Sequence, residues 1–312
     1  MDMMMALRAH TRGGPDQLTY EQAPVPVPEP GEVLVAVHAA AITFAELTWD
    51  LSWTTRDGRD RTPVIPSHEM SGTVADLGPG ATGVAAGDEV YGLIGFDRDG
   101  AAADYVTMPA AELSPRPHTV PHEAAATLPL AALTAWQALV DYAALEPGER
   151  VLVHGGAGGV GVYAVQLAVV LGGHVTATGS ARDAGLVRDL GAEGYLALEA
   201  SRFEDALSGV DVVIDTVGGA MTERSYAVMR PGGRLVTLGS PPAEDQARPR
   251  GVHAMFFVVA PDPGELAQLA NLVDQGRLRP VISQAFPLSE GRRAYESGTR
   301  PRPPGKTVLT VR

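Results

Sequence analysis

Short apolar segments of strand length fill the first third of the chain. Clusters of Gly and Pro separate these segments, which cover residues 33–41, 72–77, 89–93 and 103–108. Glycine permits positive φ angles and proline presets φ, so clusters of this kind form turns between strands. The pattern predicts a β-rich domain over residues 1–120.

Beyond Pro121 the pattern alternates between strands and helices. Strand-like apolar runs occupy residues 151–154, 174–178, 210–215, 234–238 and 254–259. Helical patterns between them occupy residues 158–171, 182–190 and 221–229. This alternation predicts an α/β domain with a parallel sheet over residues 121–262. A helix at 265–275 and strands at 281–286 and 306–311 make up residues 263–312, which we expect to return to the first domain.

Composition and charge narrow the possible functions. The chain has 312 residues, a formal charge of -13 and no cysteine. Negative charge repels nucleic-acid backbones, so we expect no nucleic-acid partner. Without cysteine the chain has no disulfide, no thiol nucleophile and no zinc site that relies on thiolate ligands.

The most apolar stretch and the N-terminus are informative about where in the cell the protein is found. Residues 124–140 contain Pro129 and several polar side chains, which predicts one buried helix and no membrane span. The N-terminus lacks the apolar core of a secretory signal, and we therefore expect a cytoplasmic protein.

A glycine-rich motif follows the first predicted strand of the α/β domain. Gly156, Gly158 and Gly161 match the pattern G-x-G-x-x-G between a predicted strand and a predicted helix. Glycines let a pyrophosphate approach the backbone closely, and amides at the helix N-terminus meet its charge. We expect Gly156, Gly158, Gly159, Val160 and Gly161 to bind a dinucleotide.

Two residues after the second strand favour NADPH over NADH. NAD-binding versions of this motif carry an acidic residue about 20 positions farther on, whereas this chain has Ser180 and Arg182 there. A hydroxyl and a guanidinium suit the 2′-phosphate of NADPH. The alternative is that Ser180 caps the next helix and Arg182 is a solvated charge.

The assembled motifs resemble those of the zinc-independent quinone oxidoreductase branch of the medium-chain dehydrogenase/reductase superfamily. The resemblance rests on the glycine motif and on residues 63–72, 87–92, 130–138, 215–219 and 305–306. It implies a GroES-like β-rich catalytic domain plus a Rossmann domain with a doubly wound parallel sheet. It also implies a homodimer joined through the last Rossmann strand, near residues 255–259, because an exposed apolar strand favours pairing.

The same resemblance implies where the nicotinamide cofactor lies. The implied positions are Thr134, Val217, Leu238, Gly239, Phe257, Val258 and Lys306. For Thr134 a cap at the start of a helix is the alternative. Relatives often carry an adenosine-contacting tyrosine where this chain has Leu198.

The zinc-dependent members of the superfamily carry a catalytic cysteine where this chain has Thr43. A His-Glu pair similar to theirs remains as His68-Glu69. One histidine does not make a tetrahedral zinc site. We therefore expect no metal, a hydrogen-bonded His68 and a Glu69 that braces its loop.

Reduction of a conjugated C=C needs less activation than oxidation of an alcohol, so it suits a site without a metal. We expect NADPH to reduce a small conjugated carbonyl compound, either a quinone or an enone. Thr43 and Thr48 are candidate hydrogen-bond donors, and Trp49 with Trp53 is a candidate aromatic wall, with core packing as the alternative for both tryptophans. A tailoring enoyl reductase acting on a large biosynthetic intermediate and a noncatalytic NADPH-binding protein are the other functions considered.

Overall fold

The computed structural model describes residues 2–55, 57–299 and 302–312. The chain forms two compact units. The first comprises Met1–Leu130, Ala260–Gly276 and Pro280–Arg312, and the second comprises Ala131–Val259 and Arg277–Arg279. The C-terminal segment thus belongs mainly to the unit that the N-terminal segment forms.

The N-terminal part of the first unit is mostly β-structure. Its strands are β1 (Met3–Ala9), β2 (Leu18–Pro24), β3 (Glu32–Ile42), β4 (Glu69–Leu77), β5 (Glu89–Leu93), β6 (Tyr105–Pro109) and β7 (Leu113–Pro115). Two short helices are α1 (Asp50–Trp53) and α2 (His122–Ala125). Helix α2 packs on β3 and β4, which is why it belongs to this unit although the sequence placed it in the α/β domain.

The second unit alternates strands and helices. Its strands are β8 (Arg150–His154), β9 (His174–Gly179), β10 (Gly194–Ala197), β11 (Val210–Asp215), β12 (Met229–Thr237) and β13 (His253–Phe256). Its helices are α3 (Ala131–Gln137), α4 (Gly161–Val170), α5 (Ala184–Asp189), α6 (Phe203–Ala206), α7 (Ala220–Ser225) and α8 (Glu244–Ala247).

The chain then completes the first unit. This return consists of α9 (Pro263–Asp274), β14 (Ile282–Pro287), α10 (Gly291–Glu296) and β15 (Lys306–Thr310). Asp262 begins α9 as its N-cap, because its side chain accepts a hydrogen bond from the backbone N–H of Glu265.

A seven-stranded sheet is the framework of the first unit. The strand order is β14-β15-β3-β4-β5-β7, and β6 pairs with the other end of β3. The central strand β3 alternates inward and outward side chains, so Val33, Val35 and Val37 are fully buried in one core. The antiparallel pairing of β15 with β3 ties the C-terminus to the middle of this sheet.

A six-stranded parallel sheet is the framework of the second unit. Its strand order is β10-β9-β8-β11-β12-β13, the order 3-2-1-4-5-6 of a doubly wound nucleotide-binding sheet. Strand β11 is buried on both faces, as its apolar run predicts. The strand order reverses between the neighbouring strands β8 and β11. In sheets of this kind, ligands bind at the carboxyl ends of the strands at this switch point.

The single helix predicted over residues 124–140 is wrong. This stretch forms α2, then α3, and then a π-helical turn at Ala138–Tyr142. Pro129 lacks an amide hydrogen and disfavours helical geometry at Leu128, so it separates α2 from α3. The stretch is buried as expected, with Leu128 and Leu133 fully inaccessible. In the part of the chain that the structure describes, no helix combines the length and the apolar character that a bilayer span requires.

The core of the parallel sheet sets a stability expectation. Leu235 of β12 is fully buried among Leu152, Val213 and Phe203. We expect Leu235→Ala to lower the free energy of unfolding by about 2 to 5 kcal/mol, because it removes apolar contacts and leaves a cavity. Denaturant unfolding followed by circular dichroism measures this. The matched control, Leu198→Ala at a side chain 38% exposed, should change the value by less than about 0.5 kcal/mol; equal losses would contradict the assignment of the core.

Candidate functional site

The glycine motif forms a tight turn between β8 and α4. The N–H of Gly156 donates to the carbonyl of Thr178 on β9 at 3.0 Å, and the N–H of Gly158 donates to the carbonyl of Gly155 at 2.9 Å. A Cβ on Gly161 would lie 2.0 Å from the carbonyl oxygen of Gly155, and one on Gly156 would lie 2.7 Å from the Cβ of Ala177. Only glycine therefore fits at these two positions.

The same turn exposes backbone toward solvent. Gly158 is exposed and Gly159 and Val160 are half-buried, immediately before α4 begins. The first turn of a helix leaves amide hydrogens without partners in the helix, and these form a site for a phosphate. The turn therefore has the backbone geometry that a pyrophosphate requires.

The loop after β11 is fixed by a buried carboxylate. Asp215 Oδ1 accepts from the N–H groups of Val217 and Gly218 at 3.0 and 2.9 Å, and Oδ2 accepts from the Thr222 hydroxyl at 2.5 Å. These bonds leave the side chain of Val217 53% exposed at the carboxyl end of the sheet. An exposed apolar side chain held rigidly in this position suits contact with a flat ring.

The loop after β12 lies against the loop after β11. A Cβ on Gly239 would lie 3.1 Å from the Cα of Gly218, so the two backbones touch. Leu238 is half-buried beside them. The structure thus brings Val217, Leu238 and Gly239 together at one end of the parallel sheet, as their positions after β11 and β12 predict.

The remaining predicted nicotinamide contacts differ in exposure. After β13, Phe257 is buried and stacks on Tyr142 at a centroid distance of 4.2 Å, whereas Val258 is 56% exposed. Thr134 is the fourth residue of α3 and is buried, so it does not cap the start of that helix. The ring of Phe257 is thus occupied by packing against Tyr142.

Ser180 and Arg182 stand at the carboxyl end of β9. Ser180 precedes a 3₁₀ turn at Ala181–Asp183 but makes no capping bond with its side chain. Arg182 is exposed and lies 3.5 Å from Asp183. A third group, the carboxylate of Glu199, accepts from the N–H of Ala181 at 3.2 Å. The pKa of Glu199 is lowered first by its own backbone N–H, then by the Ser180 side chain, and to a smaller extent by the Ala181 N–H and the charge of Arg182.

In the first unit, Thr43 follows β3 and contacts a buried ammonium group. Lys306 Nζ donates to the Thr43 hydroxyl oxygen at 3.2 Å and to the carbonyl of Ile42 at 3.0 Å, and it forms an ion pair with Glu69. Glu69 also accepts from the N–H of Leu130 at 2.9 Å. Because the hydroxyl oxygen of Thr43 accepts from a cation, its hydrogen is left to another acceptor and becomes a stronger donor.

A buried carboxylate lies next to Thr43. Glu46 Oε1 accepts from the Thr43 N–H at 3.1 Å and from the Tyr295 hydroxyl at 2.5 Å, and Oε2 accepts from the Ser67 N–H at 2.9 Å. Burial raises the pKa of Glu46 to about 7, against the opposing effect of these donors. His68 lies beside it, with Nε2 3.9 Å from Oε2 of Glu46.

The other predicted substrate contacts, Thr48, Trp49 and Trp53, differ in how far they are buried. Thr48 is exposed and its hydroxyl donates to the carbonyl of Ala45 at 2.6 Å. Trp49 is half-buried and packs edge-on against Phe96 at 5.3 Å. Trp53 is 3% exposed in the core and donates from Nε1 to the carbonyl of Leu47, so the packing alternative holds for it.

Comparisons with known proteins agree with the two folds described above. The alcohol dehydrogenase GroES-like domain model matches residues 29–118, and a zinc-binding dehydrogenase model matches residues 190–309. A probable zinc-binding oxidoreductase, mitochondrial, of Arthroderma benhamiae is 31% identical over 315 residues, which cover 94% of this chain and 93% of that protein. The chain belongs to the medium-chain dehydrogenase/reductase superfamily. It is therefore an oxidoreductase of a nicotinamide-dinucleotide-binding family, and its two units are the predicted GroES-like and Rossmann-type folds.

Solved structures and longer relatives that are similar to this chain include a quinone oxidoreductase, an enoyl reductase and a polyketide synthase system protein. The quinone oxidoreductase from Coxiella burnetii superposes with a TM-score of 0.93 at 31% identity, over 100% of both chains. The CurK enoyl reductase superposes with a TM-score of 0.88 at 27% identity, over 99% of both chains. The spectinabilin polyketide synthase system protein NorB of Streptomyces orinoci is 37% identical over 90% of this chain, and the chain spans 13% of the length of NorB.

Within residues 2–55, 57–299 and 302–312, the side chains do not assemble a zinc site. His68 is 2% exposed, its Nδ1 is buried without a hydrogen-bond partner, and burial lowers its pKa to about 4. The sequence supplies no thiolate. Among the described residues, no three His, Asp or Glu side chains are arranged to hold a metal. The donor set therefore does not fit a tetrahedral zinc ion.

Three features of the site were not predicted from the sequence. These are the Lys306 contact with Thr43, the burial of Glu46 against Tyr295, and the position of Glu199 beside Ser180. The pairing of β15 with β3 brings Lys306 to Thr43, and the pairing of β10 with β9 brings Glu199 to Ser180. Packing of α10 brings Tyr295 to Glu46. The one local signal was Glu199 itself, an acidic residue two positions after the strand that neighbours β9.

The raised pKa of Glu46 makes stability depend on pH. Below the pKa that Glu46 has in the unfolded chain, near 4.5, the carboxyl is protonated in both the folded and the unfolded state. Between pH 4.5 and about pH 7, the pKa in the folded state, it ionises only in the unfolded chain. Stability contributed by this group is thus present at low pH and is lost as pH rises, by about 1.4 kcal/mol per pH unit. We expect Glu46→Gln to remove this slope.

Denaturant unfolding of both proteins between pH 5 and pH 7 measures the effect. The wild-type free energy of unfolding should fall relative to that of Glu46→Gln as pH rises. A constant difference between the two curves would show that Glu46 is ionised throughout and that the burial argument is wrong.

Proposed function

We propose that the protein is an NADPH-dependent reductase that transfers hydride to a quinone or an α,β-unsaturated carbonyl compound without zinc. The observation that carries the proposal is the Thr43 hydroxyl, half-buried and bonded to the buried Lys306 ammonium. A polarised donor of this kind can stabilise negative charge that develops on a carbonyl oxygen, which is the task a zinc ion performs in metal-dependent relatives.

The glycine turn supports the cofactor part of the proposal. Gly156, Gly158, Gly159, Val160 and Gly161 would hold the pyrophosphate through backbone amides and the start of α4. Thr134, Val217, Leu238, Gly239 and the backbone at Phe257 and Val258 would position the nicotinamide. Ser180 and Arg182 would bind the 2′-phosphate.

The proposed chemistry needs little from the protein beyond orientation and charge stabilisation. When bound, NADPH supplies the hydride to the β-carbon of the conjugated system. Thr43 donates to the carbonyl oxygen as charge moves onto it, and Lys306 strengthens that donor. Glu69 holds the Lys306 ammonium in place. We therefore propose that Lys306 acts by polarising the Thr43 hydroxyl and does not contact the cofactor directly. Trp49 and Thr48 would form the substrate wall, and water completes the reduction with a proton.

A second candidate is enoyl reduction on a large biosynthetic intermediate. Similarity to NorB, a polyketide synthase system protein, and to the CurK enoyl reductase favours it. The reaction and the roles of Thr43 and Lys306 are the same in both candidates. The substrate differs, since the second candidate requires a thioester-linked or polycyclic enone.

The proposal is tested by following NADPH absorbance with purified protein and a panel of acceptors. The panel contains free quinones, small enones and enals, and thioester-linked enones, in the presence of a metal chelator. Oxidation of NADPH by quinones or small enones supports the first candidate, and faster turnover of thioesters supports the second. Tight NADPH binding without oxidation by any acceptor would show a noncatalytic binding protein.

Pairing of two copies is part of the proposal. Strand β13 lies at the end of the parallel sheet and pairs with β12 on one side. An edge strand with apolar side chains such as Met255 offers a surface for a second copy. Light scattering after size exclusion would distinguish a dimer from a monomer.

The role of Arg182 predicts a selective loss of affinity. We expect Arg182→Ala to weaken NADPH binding by about 1.5 to 3 kcal/mol, the value of a hydrogen bond to a charged group, and to leave NADH nearly unchanged. Fluorescence titration of both cofactors measures this. Arg188→Ala, at an exposed arginine of α5, is the matched control and should alter neither affinity. Equal losses of NADPH and NADH would reject the assignment of Arg182.

The role of Thr43 predicts a loss in kcat that a hydroxyl restores. We expect Thr43→Val to lower kcat for enone reduction about 10- to 100-fold, because an oxyanion donor is lost, while the dissociation constant of NADPH stays the same. Thr43→Ser keeps the hydroxyl and should retain most of the activity. Steady-state kinetics and cofactor titration provide both readouts. If Thr43→Val turned over enones at the wild-type rate, the role of stabilising charge on the carbonyl oxygen would belong to another group.

A further inference from the structure

The turn that follows β9 already holds an anion belonging to the protein itself. Glu199 Oε2 accepts from the N–H of Ala181 at 3.2 Å, and the Ser180 side chain is among the groups that lower the pKa of this carboxyl. These are two of the groups that would bind the 2′-phosphate of NADPH. Sequence reasoning identified Ser180 and Arg182 but not the carboxylate beside them.

The position of Glu199 is fixed by strand pairing. Strand β10 runs parallel to β9, and the N–H of Leu198 donates to the carbonyl of Gly179 at 3.0 Å. The Tyr195 hydroxyl donates to the carbonyl of Ser180 at 2.7 Å. Both bonds hold the end of β10 against the turn at Ser180, so the residue after Leu198 stands next to that turn.

A carboxylate at this place has a definite consequence for cofactor choice. A 2′-phosphate carries up to two negative charges, and a carboxylate within contact distance repels it. The two anions also compete for the same donors, so the phosphate binds only when Glu199 has moved aside. The apparent affinity for NADPH is then reduced by the fraction of molecules in which the donors are free. NADH, which has a hydroxyl there, meets no such competitor.

We propose that Glu199 is a specificity-determining residue that competes with the 2′-phosphate of NADPH for the Ser180–Ala181 donors. Glu199 lowers the preference for NADPH that Ser180 and Arg182 create. It is exposed, so it can swing into solvent when a phosphate enters. The inference rests on the proposed NADPH dependence, and it concerns the adenosine end of the cofactor only.

The test measures binding of two adenine nucleotides, 2′,5′-ADP and 5′-AMP, by isothermal titration calorimetry. We expect Glu199→Gln to tighten 2′,5′-ADP about tenfold and to change 5′-AMP by less than about twofold, because only the first ligand carries the competing phosphate. The gain should shrink at high salt, since the two charges face solvent. Glu193→Gln is the matched control: it neutralises an exposed carboxylate just before β10, which is bonded to His174, and should leave both affinities unchanged.

Two results would overturn the proposal. One is an unchanged affinity of Glu199→Gln for 2′,5′-ADP. The other is a weakened affinity for 5′-AMP, which would mean that Glu199 binds the ribose hydroxyls. The test is separate from the reductase proposal: if no acceptor oxidises NADPH but Glu199→Gln still tightens 2′,5′-ADP, the reductase function fails alone. If acceptors do oxidise NADPH and the variant matches wild type, the competition fails alone.

Discussion

The carbonyl oxygen of Gly155 approaches Gly161 so closely that no side chain fits between them, and the proposed cofactor site depends on that contact. It lets the chain pass from β8 through a short glycine-rich turn into α4, whose first turn has amide hydrogens without partners in the helix. The loops after β11 and β12 then meet beside the turn, with Asp215 fixing the first of them. The parallel sheet thus has a helix N-terminus and an exposed apolar surface at its carboxyl end, the two features on which the proposed cofactor site depends.

In the proposed reaction, the first unit supplies the group that polarises the carbonyl in place of a metal. A buried lysine is costly unless it is paired, and Glu69 pairs it. The remaining hydrogens of Lys306 go to the Ile42 carbonyl and the Thr43 hydroxyl. The buried positive charge of Lys306 therefore polarises the half-buried Thr43 hydroxyl. His68, neutral because burial lowers its pKa, adds no charge to this arrangement at neutral pH.

Much of the fold could be predicted from the sequence, because strands of a parallel sheet are continuous apolar runs and glycine-rich turns have fixed spacing. The predicted strand over residues 210–215 matches β11 residue for residue. Prediction failed where tertiary packing decided the outcome, as in the interrupted helix around Pro129 and in β1 and β2, whose polar and apolar residues show no clear alternation. Motifs in the sequence identified Thr43, Ser180, Arg182 and Lys306. The contact of Lys306 with Thr43 and the position of Glu199 come from strand pairing, and the burial of Glu46 comes from packing against Tyr295 of α10, which no local pattern indicates.

In the proposed reaction, hydride passes from the cofactor to a conjugated carbonyl compound without a metal. The direct test is turnover of an enone with NADPH deuterated at the transferable C4 position, using chelator-treated protein and mass spectrometry of the product. We expect one deuterium on the carbon β to the carbonyl in every product molecule. A product without deuterium, or turnover that returns only when zinc is added, would contradict it.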